Sequence, residues 1–167
     1  MVEHYGAVAV VALDEHDNVA LVYQYRHPVG RRLWELPAGL LDLGGEPPEV
    51  SAARELQEEA GLAAAHWSVL VDIVSAAGFS DESVRVYLAT GLSQVPRPDA
   101  HDEEADLTLE WVPLADAVQR VLTGDIVNSL AVAGILAAHT ADRAALRTVE
   151  APWTDRPRAF ASRQGHS

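Results

Sequence analysis

The chain has no cysteine and no lysine, so all twelve of its basic residues are arginine. The first absence excludes thiol nucleophiles, thiolate metal sites and disulfides; the second excludes Schiff-base chemistry and a phosphate-loop lysine. Positive charge is scarce altogether, with 12 basic against 25 acidic residues and a net charge of −13. That balance argues against a nucleic-acid or anionic-membrane partner, because either needs a basic face to displace counterions. An acidic protein that handles an anionic substrate needs a cation between the two. Long apolar runs are missing as well. The stretch at residues 130–138 is too short to cross a bilayer, and the opening MVEHYGAVAVVALDEHD has no basic region ahead of its apolar run, so it is not a signal peptide. A cytoplasmic protein is expected. Neither repeats nor low-complexity linkers occur, and 167 residues at 49% hydrophobic content suit one domain over residues 1–167, with an extended tail from about residue 151 to 167.

What is present centres on residues 38–62, AGLLDLGGEPPEVSAARELQEEAGL. Pro47 and Pro48 suit a helix start, where a missing N–H costs nothing, and Gly61 suits the left-handed position after a helix end, so a helix is predicted over residues 48–60. On a helical wheel Val50, Ala53, Leu56 and Ala60 form an apolar arc, with Glu55, Glu58 and Glu59 clustered roughly opposite. Like charges three and four apart repel, and Arg54 next to Glu58 offsets only part of that. A solvated acidic face is one reading of the cluster. The other is a site for a hard divalent cation, Mg²⁺ or Mn²⁺, since every donor is an oxygen.

With its flanks, this stretch resembles the signature of the Nudix hydrolases, G-x5-E-x7-R-E-U-x-E-E-x-G-U, where U is aliphatic. Glu46, Arg54, Glu55, Leu56, Glu58, Glu59, Gly61 and Leu62 fall in register. One departure is visible: Gly39 precedes Glu46 by seven positions instead of six, so the loop carries an extra residue.

Strands are predicted at residues 5–13 and 19–26, joined as a hairpin by a polar turn, and at 33–36 after a break at Pro28 and Gly30. Arg26, Arg31 and Arg32 are candidate phosphate contacts, with ordinary surface arginine the competing reading. Further strands are predicted at residues 67–74 and 83–90, joined by the loop SAAGFSDE, and at 107–112. A helix follows from Pro113 to Gly124, then a longer one from about residue 125 or 129 to 146. His4, His27, His66, His101 and His139 stand without a second histidine at ligand spacing and are read as surface residues.

The accessory segments QYRHPVG, LWELPAGLLD and GFSDE narrow the resemblance to the ADP-ribose pyrophosphatases of that family. It implies an α/β fold, a Nudix-type α/β/α sandwich around a mixed β-sheet. It also implies cation-dependent hydrolysis of ADP-ribose to AMP and ribose 5-phosphate. By the same resemblance Glu55, Glu59 and the Ala38 carbonyl hold the cation with Glu58 contributing, and Arg54 fixes the carboxylates through Glu46 and Glu58. Glu35 and Glu82 contact ribose, and the loop with Phe79, Ser80 and Glu82 lies near the distal ribose; Ala77 replaces the proline usual in that loop. The acidic segment 99–110 then supplies the general base, Glu104 with Glu103 as alternate. Two other activities stay open: a Nudix enzyme for another nucleoside diphosphate compound, such as a nucleotide sugar, and a non-catalytic ADP-ribose sensor. Relatives place an N-terminal β segment before the strand at residues 5–13 that crosses to a partner subunit. The expectation here is a homodimer weakened by the lack of that arm, a raised KM, and an exposed strand face at residues 2–13.

Overall fold

The run AVAVVA at residues 7–12 has no polar residue at either parity, which suits a strand covered on both faces. The computed structural model, which describes residues 2–98 and 107–158, places it there. In chain order the elements are β1 (Ala7–Ala12), β2 (Asn18–Arg26), β3 (Arg31–Glu35), β4 (Ala38–Leu40), α1 (Pro48–Ala60), β5 (Leu62–Val74), β6 (Ser83–Gln94), β7 (Thr108–Pro113), α2 (Leu114–Leu122) and α3 (Ser129–Thr140). A 3₁₀ turn at Arg143–Ala145 follows.

Two sheets form. The larger has the order β4-β1-β6-β5, with β1 parallel to β6 and the other pairings antiparallel; the smaller is antiparallel, β3-β2-β7. Odd-numbered residues of β1 (Ala7, Ala9, Val11) enter a core shared with α2 and α3, while Val8, Val10 and Ala12 enter a second core shared with α1. The predicted α/β/α sandwich around a mixed sheet is therefore present.

Four expectations change. β1 and β2 do not pair as a hairpin: they belong to different sheets and share a single bridge at Leu13 and Val19. The exposed strand face expected at residues 2–13 is not there for β1, which is interior with β4 on one side and β6 on the other. The last helix stops at Thr140 instead of 146, because Asp142 caps a new turn by accepting from the Ala144 N–H. Residues 151–153 lie against the sheet. Arg85, 2% exposed, reaches the Ala151 and Pro152 carbonyls and lies over the Trp153 ring, whose indole N–H donates to Ser83. Among the described residues no helix is long and apolar enough to cross a membrane.

The fourth change concerns the face of α1. Its buried residues are Ser51, Ala52, Leu56 and Ala60, whereas Val50 is 49% exposed and Ala53 faces solvent. The buried stripe is thus rotated toward Glu55 and Glu59. Leu56→Ala should cost about 2 to 5 kcal/mol, as loss of a fully buried leucine does, and Val50→Ala less than about 0.5 kcal/mol. Denaturant titration of the two variants checks this; equal losses would restore the orientation read from the wheel.

Candidate active site

α1 begins and ends as its sequence predicts. Pro47 precedes it in an extended conformation, and Gly61 closes it at φ 66 with its N–H directed to the Gln57 and Leu56 carbonyls. This fixes three glutamates beside β4. The Ala38 N–H donates to Glu59 Oε2 at 2.9 Å. Gly39 lies so close to Glu55 that a β-carbon there would overlap the carboxylate. Gly39 therefore sits directly against α1, and the loop that follows turns at residues 43–45, where Gly45 has φ 82.

Arg54 ties the cluster together. Its guanidinium reaches Glu46 at 3.1 and 3.3 Å, Glu55 at 2.8 Å and Glu58 at 3.3 Å, and Ser51 Oγ at 3.3 Å. The hydrogen bond from Arg54 holds the Glu46 carboxyl below the ordinary carboxylate range, and in return Glu46 pushes the guanidinium further toward its charged form. The expected pairing of Arg54 with Glu46 and Glu58 is present, and Glu55 joins it.

Glu59 stands apart from this network. Burial pushes its carboxyl up to about 8; the Ala38 N–H and Arg26 oppose the shift, and the negative charges of Glu55 and Glu35 add to it. A carboxyl made costly to ionise by burial and by like charge is relieved by a cation. Among the described residues no three acidic or histidine side chains converge tightly enough to enclose an ion by themselves. The donor set that fits is Glu55 and Glu59 together with backbone of β4, where Gly39 gives the room.

A cleft of about 320 Å³ has Arg26, Glu35, Glu82 and, from the start of α3, Asn128 and Ser129 in its lining, and of these Arg26 and Glu35 are near enough to Glu59 to act on its charge. Glu35 is 3% exposed and accepts two hydrogen bonds from Arg26, at 2.9 and 2.6 Å, so it orients the guanidinium at the cleft wall. Glu82 accepts from the Ser75 hydroxyl, and the Ser80 hydroxyl accepts from the Glu82 N–H at 3.1 Å. Phe79 is 63% exposed and lies outside the cleft lining. Arg31 and Arg32 also lie outside it. Glu103 and Glu104 fall outside the described residues.

Two contributors escaped the sequence reading. Asn128 accepts from the Leu130 and Ala131 N–H groups and so caps α3 at the cleft; its position before an apolar helical run was the available signal. His4 is not an ordinary surface histidine: its ring touches Glu82, and nothing in the local sequence indicates this. A second cleft of about 370 Å³, lined by Asp14, Glu15, Gln94 and Trp111 among others, includes none of these carboxylates.

The NUDIX domain family matches residues 3–130. The chain is 63% identical over 166 residues to the ADP-ribose pyrophosphatase of Mycobacterium tuberculosis, covering 98% of this chain and 80% of that protein. It is 36% identical over 135 residues to the methanol dehydrogenase activator of Bacillus methanolicus, covering 81% of this chain and 72% of that one. A crystal structure of an ADP compounds hydrolase shares the fold at a TM-score of 0.69 and 23% identity, over 80% of this chain and 70% of that chain.

Two measurements test the geometry. Gly39→Ala should displace Glu55 and weaken Mn²⁺ binding by roughly tenfold or more, as loss of correct ligand placement does; unchanged calorimetric affinity would separate Gly39 from the site. The folded Glu59 titrates near 8, above its ordinary 4.5, so its ionisation removes stability as pH rises from 4.5 through 8. In EDTA, Glu59→Gln should therefore raise the melting midpoint at pH 9 and leave it nearly unchanged at pH 5. Equal effects at both values would mean that Glu59 is not desolvated.

Proposed function

Because the chain belongs to the Nudix family, we propose that it hydrolyses the pyrophosphate bond of ADP-ribose, giving AMP and ribose 5-phosphate, with the help of a divalent cation. The observation that carries this reading is the partly buried Glu59, whose carboxyl burial pushes up to about 8, held beside Glu55 and Gly39 and near Arg26, which lines a cleft. The ADP-ribose pyrophosphatase at 63% identity supports the choice of substrate.

Glu55, Glu59 and the Ala38 carbonyl would hold the cation, with Glu58 contributing; all-oxygen donors suit Mg²⁺ or Mn²⁺. The chemistry such a cation would supply there is polarisation of the pyrophosphate and activation of water. The chain's own groups do the rest. Arg54 holds Glu55 and Glu58 in place from behind. Arg26, oriented by Glu35, meets a phosphate oxygen, and Glu35 and Glu82 meet ribose hydroxyls, with Phe79 and Ser80 on the loop beside them. Glu104, or else Glu103, takes the proton of the attacking water. Residues 1–167 act as one catalytic domain in the cytoplasm, as a homodimer whose contacts involve faces other than the interior strand β1.

The test is phosphate release from a panel of nucleoside diphosphate compounds with Mg²⁺ and a coupled phosphatase. AMP and ribose 5-phosphate are monoesters that the phosphatase attacks, while intact ADP-ribose is a diester that it leaves alone. ADP-ribose should be the best substrate. Turnover of a nucleotide sugar in preference would move the chain to another nucleoside diphosphate compound, and binding of ADP-ribose without release would make it a sensor.

Within this reading, Glu59→Gln should lower both cation affinity and turnover, and unaltered turnover at saturating Mg²⁺ would remove Glu59 from the ligand set. Glu104→Gln should cut turnover by roughly 10² to 10⁴ with cation binding little changed, the usual loss for a general base. If Glu103→Gln is the impaired variant instead, the base is its neighbour.

A further inference from the structure

The loop between β5 and β6 is tied to the start of the chain. The Val2 N–H donates to the Phe79 carbonyl at 2.7 Å, and the His4 N–H donates to Asp81 Oδ1 at 2.8 Å. Between these contacts Val2 bridges Ser80 as a short parallel pair. The segment thus lies along residues 79–82 and ends at Gly6, with φ 85, where β1 begins.

His4 adds a side-chain contact to this strap. The Gly6 N–H donates to His4 Nδ1 at 3.1 Å, so Nδ1 is an acceptor and the proton of the neutral ring sits on Nε2. Nε2 lies 3.3 Å from Glu82 Oε1, and the Ser75 hydroxyl takes the other Glu82 oxygen. Glu82 lines the cleft, and the side chains of His4 and Glu82 are 22% and 32% exposed, so both stand partly out of water. An exposed glutamate samples many rotamers. One held by the Ser75 hydroxyl at one oxygen and by the His4 ring 3.3 Å from the other keeps one orientation, and the cost of ordering it is met before substrate arrives.

We propose that His4 is a positioning residue: through its Nε2–H it fixes the Glu82 carboxylate in the cleft, and so sets affinity for the sugar hydroxyls of the substrate without touching the reacting phosphates. The proposal rests on the reading of this cleft as the ADP-ribose site. The contact that it invokes is a feature of the protein without ligand, so it is open to test separately.

Two arms keep those levels apart. In the ligand-free protein, long-range proton–nitrogen spectra of the imidazole should show the Nε2–H form for His4, and His4→Ala should speed amide exchange at Phe79 and Asp81 relative to wild type. An Nδ1–H form would overturn the contact whether or not the protein turns over ADP-ribose. In the kinetic arm, His4→Ala should raise KM for ADP-ribose by roughly tenfold, as loss of one polar contact to a charged group does, and leave kcat within about twofold. His4→Gln, whose amide nitrogen replaces Nε2, should recover most of the lost affinity. A fall in kcat equal to the rise in KM, or a glutamine variant no better than alanine at an unchanged melting midpoint, would reduce His4 to a structural role. Wild-type protein inactive on ADP-ribose would overturn the substrate assignment and with it the kinetic half of the proposal, while the tautomer spectrum would still decide the contact.

Discussion

Two carboxylates one helical turn apart, Glu55 and Glu59, are pressed against the backbone of β4, and much of the surrounding structure serves to hold them there. Glu59 takes the Ala38 N–H, Glu55 sits where only glycine leaves room, and Arg54 binds Glu55 from the other side together with Glu46 and Glu58. Burying acids is costly unless positive charge or hydrogen bonds compensate. Glu55 has Arg54 for this purpose. For Glu59 the Ala38 N–H falls short of offsetting burial, and its carboxyl rises to about 8. A cation bound as proposed would relieve this imbalance, and α1 is the element that creates it.

The sandwich gives α1 a rigid base. β1 is covered on both faces, so α1 packs on one side of the sheet and α3 on the other, and Gly134 of α3 lies close enough that a β-carbon would come within 2.7 Å of Leu36. Leu36 follows Glu35 directly, and Pro37 joins it to β4. The tight seating of α3 therefore bears on the segment that carries the cleft glutamate and leads into the β4 backbone beside Glu55 and Glu59. The capped start of α3 reaches the same cleft, so both helical layers contribute to the site.

Local chemistry made α1 legible: its ends at Pro48 and Ala60 follow from proline before the first turn and glycine after the last. The direction that it faces was not legible. A wheel assigns apolar residues inward and charged ones outward, and this helix holds Glu55 and Glu59 partly buried beside β4, which sequence spacing does not reveal. The hairpin expected between β1 and β2 failed for a related reason. A short polar turn between two apolar strands fits a hairpin and a crossing between sheets alike, and the full burial of β1 on both faces decides for the crossing. The role of His4 was invisible because its partner is 78 positions away in sequence, on a loop brought to it by the β1–β6 pairing.

In the proposed function Glu59 is a cation ligand that carries a proton until the cation arrives. Calorimetric titration of Mn²⁺ into the protein at pH 7, repeated in buffers of different ionisation enthalpy, measures this directly. Release of close to one proton per bound ion, abolished in Glu59→Gln, is the predicted result, since a carboxyl titrating at about 8 is mostly protonated at that pH and must lose its proton to bind metal. Binding heats that do not depend on the buffer, or the same proton release in the variant, would contradict it.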